Sequence, residues 1–429
     1  MLCLYDKINT RKGGFIVNGE LIYPKYRYVM GVIVVLCASL TLLAYMVTAP
    51  LLTYLAADFS VDMSAAGYSS TLHILFMGIF MFVGPVIIGW IDIKKTQLLG
   101  VGTIILGLIL AWRAPSFGWL LAARAITGMG HGISGACTNS VVAAWFPSKE
   151  KSIIITINNL GIAAVPAFGY FIIPPLYHAL GDSWRGVMLF VAAVMAVVWL
   201  SWIILGRDNH AMNAYIREQN AREGRKTSAF SGIGEALSRR DVWTLSLYMG
   251  LATVAANGIS TYLPQFLQNA RCYTDVSASA TVGITTAVGA AGTFLGGIAT
   301  TALGRRKPAI VPFIFATALF GFLGLISPAH GAIVTMLILY SLSTNFRSTA
   351  SWTIATELEG VTPALASAAS AMIYGVGFIG TLAVPALFSL GAGLRGDVGS
   401  MVIFVPLFLI AAVISCFLPE TGPKKRKSS

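Results

Sequence analysis

"RDNHAMNAYIREQNAREGRKTSAFSGIGEALSRRD" occupies residues 207–241 and interrupts a chain that is otherwise a succession of apolar runs. It is polar and rich in both signs of charge. Six apolar runs precede it, at 28–53, 66–90, 97–112, 118–144, 153–176 and 185–206. Six follow, at 242–267, 277–303, 308–327, 332–356, 364–392 and 399–418. Of the 429 residues, 56% are hydrophobic and only 11% charged. Soluble domains carry about 25% charged residues. Apolar runs of about 20 residues cross a bilayer as helices, and lipid forces every backbone polar group to be satisfied internally. The runs lack the alternation of a membrane barrel. The expected fold is an all-α membrane protein with twelve transmembrane helices in two six-helix pseudo-repeats. Its parts are a cytoplasmic N-terminus (1–27), a first half (28–206), a cytoplasmic linker (207–241), in part helical, a second half (242–418) and a cytoplasmic tail (419–429).

The net charge of +12 is not spread evenly. Of 29 Lys and Arg residues, 23 fall in the N-terminus, the even-numbered loops, the linker and the tail. Arg113, Arg185, Arg271 and Arg395 lie on the other side, and Arg124 and Arg347 lie inside spans. The positive-inside rule then puts both termini in the cytoplasm. The tail "PKKRKSS" reads as a topology anchor, so nucleic acid is not an expected partner. Residues 1–27 hold no apolar signal-peptide core, which makes the first span an uncleaved insertion signal. Cys3, Cys37, Cys137, Cys272 and Cys416 have neither metal-ligand spacing nor the pattern of a disulfide framework.

The halves echo one another. "GWIDIKK" (89–95) follows the second span and "GGIATTALGRRK" (296–307) the eighth, at an offset near 208. "NNLGIAAVPAFGYFIIPP" and "GVGFIGTLAVPALFSL" match at an offset near 214. "RAITGMGHG" lies in the fourth span, and "WFPSKEKS" follows it. With the topology, these features resemble the major facilitator superfamily of secondary transporters over nearly the whole chain. The family's loop pattern is met by Gly297, Gly304, Arg305 and Arg306 in the second copy, with Thr301 in place of its Asp. In the first copy Asp92, Lys94 and Lys95 remain and the second Gly is lost. The resemblance implies that these loops bias gating, that Arg124 belongs to the fourth-span motif, and that spans 1, 4, 7 and 10 line a central path.

The arginines inside spans matter most, because a charge at mid-membrane costs about 2.5–3.5 kcal/mol on insertion scales. Residues three, four and seven apart share a helix face. Arg124, Gly128, His131, Gly135 and Thr138 form one such stripe, with Asn139 beside it. Tyr340, Ser343, Thr344, Arg347 and Ser351 form another. No Asp or Glu lies well inside a span. Guanidinium suits carboxylates and other oxyanions, so the substrate is expected to supply the charge that answers Arg347. The candidate binding residues are Arg347, Arg124, His131, Asn139, Tyr340, Asn345, Ser351, Asn257, Tyr262 and Tyr45. A structural or gating role for the arginines stays open.

The expected function is secondary transport of a small organic anion by alternating access, across the plasma membrane, by a monomer. Efflux of a hydrophobic or cationic compound, transport of an uncharged solute, and a non-transporting receptor remain alternatives. H+ is a candidate coupling ion through His73 or His131, while anion exchange needs no titratable group. No metal cluster, nucleophile–base pair or phosphate loop marks an enzyme, and no cofactor is implied.

Overall fold

The computed structural model describes residues 15–17, 20–22, 24–209, 212–213, 233–358 and 363–422. The tail "PKKRKSS", Cys3 and the middle of the linker lie outside them. A short antiparallel ribbon, β1 (Phe15–Val17) with β2 (Glu20–Ile22), precedes the helices. The first half contains α1 (Arg27–Met46), α2 (Leu52–Phe59), α3 (Met63–Ile91), α4 (Ile93–Trp112), α5 (Phe117–Trp145), α6 (Ser148–Ala179) and α7 (Trp184–Leu205). Within the linker, α8 (Ile233–Ser238) is described. The second half contains α9 (Arg240–Arg271), α10 (Asp275–Leu303), α11 (Lys307–Ile326), α12 (His330–Glu357), α13 (Pro363–Gly380), α14 (Val384–Val402) and α15 (Val405–Cys416).

Nine of the described helical segments are long and apolar enough to cross a membrane. Of the remaining passes, α5 and α12 have the length, at about 1.5 Å per residue, and fall short in apolarity. They are the two that carry Arg124 and Arg347. The shorter α15 belongs to the last pass.

Most boundaries shift by a few residues from the sequence reading, and two differences have a clear local cause. The first span stops at Met46, and α2 starts afresh at Leu52. Pro50 explains the break, since it has no N–H to donate and disfavours helical geometry in the residue before it. The last two passes meet at Arg395 and Gly396 instead of 392–399. Gly396 has φ 59°, a conformation that glycine adopts without a Cβ clash.

Each half has its own apolar core. Met30, Val101, Cys137 and Trp202 belong to the first, and Tyr248, Ile310, Ile354 and Phe408 to the second. Helices pack backbone to backbone where glycine permits. A Cβ on Gly128 of α5 would collide with the His73 carbonyl of α3, and one on Gly296 of α10 with the Phe346 carbonyl of α12. Such small-residue contacts suit helix association in lipid. Met46, Ala49, Leu52, Ala56 and Ala66 of the first half join the second half's core. They cluster around the α1–α3 links, so the halves are packed together at that end.

Candidate functional site

A cavity of about 1950 Å³ lies between α6, α9, α10 and α12, with Tyr374 of α13 on its wall. It extends along α10 from Val282 to Ala302, near the end that carries the 92–95 and 304–307 loops. This is called the basic end, and the opposite one the far end. The wall of α12 follows helical spacing: Leu337, Tyr340, Ser341, Thr344, Asn345, Ser348 and Trp352. Threonines of α10, Asn257 and Ser260 of α9, and Asn159 of α6 add hydroxyls and amides. No charged residue and no histidine is among the lining side chains of the described residues. Trp352 stacks on Tyr374 with ring centroids 4.6 Å apart, which gives the cavity a flat aromatic wall.

Of the candidate residues, Asn257, Tyr340 and Asn345 line the cavity; Arg347 and Ser351 are not among its lining residues. The polar stripe of α12 splits into two faces. One faces the cavity. The other is buried against α9, where Arg347 is 5% exposed. Arg347 Nη1 donates to the Tyr248 hydroxyl at 3.0 Å, and Nε is buried with no partner. The Tyr248 and Ser351 hydroxyls share a hydrogen bond of 2.9 Å, and Ser351 also donates to the Arg347 carbonyl at 2.9 Å. No carboxylate pairs with Arg347 among the described residues. Ser348, the next residue in the chain, lines the cavity, so Arg347 and the cavity wall occupy adjoining faces of α12.

Arg124 has a different environment. It is wholly buried and donates only to main-chain oxygens: Nη1 to Ala44 at 2.8 Å, Nη2 to Tyr45 at 3.0 Å and Nε to Ser69 at 3.1 Å. The first two are carbonyls of the last turn of α1, which the Pro50 break leaves without their ordinary partners. Ala49 N–H, four residues past Tyr45, donates to Met46 instead. Arg124 therefore works as a C-cap supplied by another helix. All three of its nitrogens bond main-chain carbonyls and the side chain is wholly buried, so the structure gives no support to a substrate contact there.

His131 meets His73, with Nδ1 of His131 and Nε2 of His73 3.1 Å apart and both rings buried. His73 Nδ1 has no partner. Tyr45 stands 5.5 Å from the His73 ring and donates across the halves to Asn257 at 3.3 Å. Asn139 is exposed and is not among the cavity's lining residues. Tyr262 lies in the far-end contact, stacked on Phe388 at 3.8 Å, with its hydroxyl donating to Ser64 O at 3.2 Å.

Apart from Tyr262, the members of that far-end contact carry no sequence signal of their own, since each is paired only by the fold. Gln265 donates to Ala49 O at 2.6 Å, and Tyr170 to Ser260 O at 3.1 Å. Tyr54 donates to Asp275 at 2.8 Å, and His178 Nε2 meets the same carboxylate oxygen at 2.7 Å. Each of these contacts joins one half to the other.

At the basic end a pair of bonds repeats, each copy joining a half to the segment that follows it. Asp208 accepts from the Lys94 N–H at 2.9 Å, while Lys94 Nζ donates to Ile203 O at 3.0 Å. Glu420 accepts from the Arg306 N–H at 2.8 Å, while Lys307 Nζ donates to Cys416 O at 2.9 Å. Lys94 and Lys307 are 213 residues apart, as are Ile203 and Cys416, which corrects the 208 offset read from the sequence. Each carboxylate caps the N-terminus of a helix, α4 or α11. Arg306 donates from Nε to Glu357 at 2.9 Å, and this bond raises its affinity for its proton above the ordinary. Gly304 ends α10 at φ 63°, the left-handed cap conformation. Asp92, Lys95 and Arg305 make no ion pair among the described residues, and Gly297 lines the cavity.

Residues 34–385 match the profile described as Major Facilitator Superfamily, which is well over half the chain. This chain belongs to the Major Facilitator Superfamily. It is therefore an integral, multi-pass membrane protein of a family of transporters, and not an enzyme. Over 92% of the chain the structure superposes, with a TM-score of 0.74 and 18% identity, on 97% of a bacterial homologue of the human lysosomal transporter Spinster in its inward-facing, unoccupied conformation. That likeness supports the Major Facilitator fold alone. The hexuronate transporter of Escherichia coli (strain K12) is 26% identical over 36% of this chain and 37% of its own length. The hexuronate transporter of Bacillus subtilis (strain 168) is 25% identical over 61% of this chain and 64% of its own. The matched part is thus less than two thirds of each relative. Of the passes that family resemblance placed around the path, the seventh and tenth (α9 and α12) form the cavity wall. The first and fourth contribute no lining residue; the fifth and eighth do.

Proposed function

We propose that this protein moves a small sugar-acid anion across the membrane by alternating access, with the basic end in the cytoplasm. The observation that carries the reading is Arg347. It is a buried cation whose single hydrogen bond uses Nη1, whose buried Nε has no partner, and which meets no carboxylate among the described residues, on a helix whose adjoining face lines the cavity with hydroxyls and amides. Hydroxyl and amide side chains match the hydroxyls of a sugar. Trp352 and Tyr374 offer a face for its ring, and Arg347 offers a counter-charge for its carboxylate. The hexuronate transporters among the relatives handle anions of this class. Alternating access is supported by the asymmetry of the molecule, in which cross-half bonds close the far end while the cavity reaches the basic end.

For coupling, the His73–His131 pair is a titratable group buried among the helices of the first half, and H+ is the ion we assign. An uncharged sugar is the second reading, favoured by the lack of charge among the lining residues. The test is a ligand-stabilisation series on the purified protein with hexuronates, the matching neutral hexoses, and unrelated carboxylates. A bound ligand raises the melting temperature. Stabilisation by hexuronates alone supports the proposal; stabilisation by neutral hexoses to the same degree favours the second reading.

A further inference from the structure

At the far end, both ring nitrogens of His178 face carboxylates. Nδ1 lies 2.6 Å from Asp182 Oδ1, and Nε2 lies 2.7 Å from Asp275 Oδ2. A neutral imidazole has one N–H and one lone pair, and an ionised carboxylate only accepts. Satisfying both contacts takes one proton more than a neutral ring and two carboxylates possess. Asp275 Oδ2 also accepts from the Tyr54 hydroxyl at 2.8 Å, as expected of an ionised oxygen.

The three groups do not belong to one half. His178 and Asp182 end the fifth pass of the first half, whereas Asp275 opens α10 in the second. Parting the halves at the far end separates His178 from Asp275 and dismantles the site. Neighbouring groups do not replace this proton. Tyr177 meets the His178 ring edge-on at 5.2 Å and stacks on Tyr54 at 3.9 Å. Asp58 is already held by Arg185 Nη1 at 2.8 Å. The His178 side chain is 47% exposed, so a proton reaches it from the adjoining solution without crossing the membrane.

We infer that His178, Asp182 and Asp275 form a proton-binding site that is complete only in the conformation closed at the far end, so that protonation from that side holds this end shut. Linkage makes the effect reciprocal: closure strengthens proton binding by the factor by which the proton favours closure. At low pH the site is filled and the seal is favoured. As pH rises through its titration the proton leaves, a ring lone pair faces a carboxylate, and opening gains. Exposed pairs of this kind shift an equilibrium by about two- to five-fold. The inference holds whatever solute is carried.

The test is a spin-label distance across the far end in lipid nanodiscs without solute. One label is placed on Cys272, in the α9–α10 link, and one on Pro115→Cys, in the α4–α5 link, with Cys3 and Cys416 changed to Ser. From pH 5 to pH 8 the long-distance fraction is expected to rise about two- to five-fold. His178→Gln, which keeps an N–H donor without a titratable proton, is expected to remove that rise, and Asp275→Asn to do the same. A wild-type distribution that does not change with pH overturns the inference, as does an undiminished rise in His178→Gln.

Discussion

Arg347 donates to Tyr248 at 3.0 Å, and that phenol is the sole hydrogen-bond partner of its guanidinium among the described residues. A mid-membrane cation with a single neutral acceptor is incompletely compensated. Tyr248→Phe removes that acceptor and keeps the shape. The expected cost is about 1–3 kcal/mol of stability, read as a lower melting temperature. If a sugar acid completes Arg347, saturating hexuronate should recover more stability in Tyr248→Phe than in the wild type.

Arg124 is expected to be structural. Its three nitrogens donate to two carbonyls at the end of α1, where the Pro50 break falls, and to one carbonyl of α3. Arg124→Lys keeps the charge and loses the planar fork, so at least one carbonyl goes unmet at a cost of about 1–3 kcal/mol. Thermal unfolding should show this loss. Ligand affinity per folded molecule should not change, and a large drop in affinity would return Arg124 to the binding residues.

A side chain at Gly67 displaces part of the far-end seal. A Cβ there would collide with the Tyr262 hydroxyl, and the Tyr262 ring is held against Phe388. Gly67→Ala should wedge the halves apart at the far end and raise the share of molecules open there. Cross-linking yield between introduced cysteines on α3 and α9 should fall; a yield equal to the wild type would show that the seal yields without opening.

The carboxylates at the basic end make a paired prediction. Asp208 caps α4 and Glu420 caps α11 in the same way. Asp208→Ala and Glu420→Ala should each cost about 0.5–2 kcal/mol, and by similar amounts, measured as melting temperatures. A loss in one half only would break the functional equivalence of the two loops.

The membrane fold was legible because it rests on long-range statistics: apolar runs, Lys and Arg placement, and a repeat. The positions that set the site were less so. Sequence placed Tyr340, Thr344 and Arg347 on one stripe, yet the cavity takes Tyr340, Thr344 and Ser348 and not Arg347. A rotation of a fraction of a turn decides this, and it is fixed by Gly296 and Gly292 of α10 pressing on α12. Likewise, Arg124 reads as a substrate residue until Pro50 is seen to strand the carbonyls of α1. His178 was invisible, since its partners lie 4 and 97 residues away and the distant one belongs to the other half.

The most direct measurement is counterflow of radiolabelled hexuronate into proteoliposomes, run beside the neutral hexose, for the wild type and Arg347→Gln. The account predicts hexuronate exchange by the wild type, little exchange of the hexose, and a loss of about 30-fold or more in Arg347→Gln, which corresponds to about 2 kcal/mol for truncating one side of a buried charged pair. Undiminished hexuronate exchange by a folded Arg347→Gln protein would contradict it.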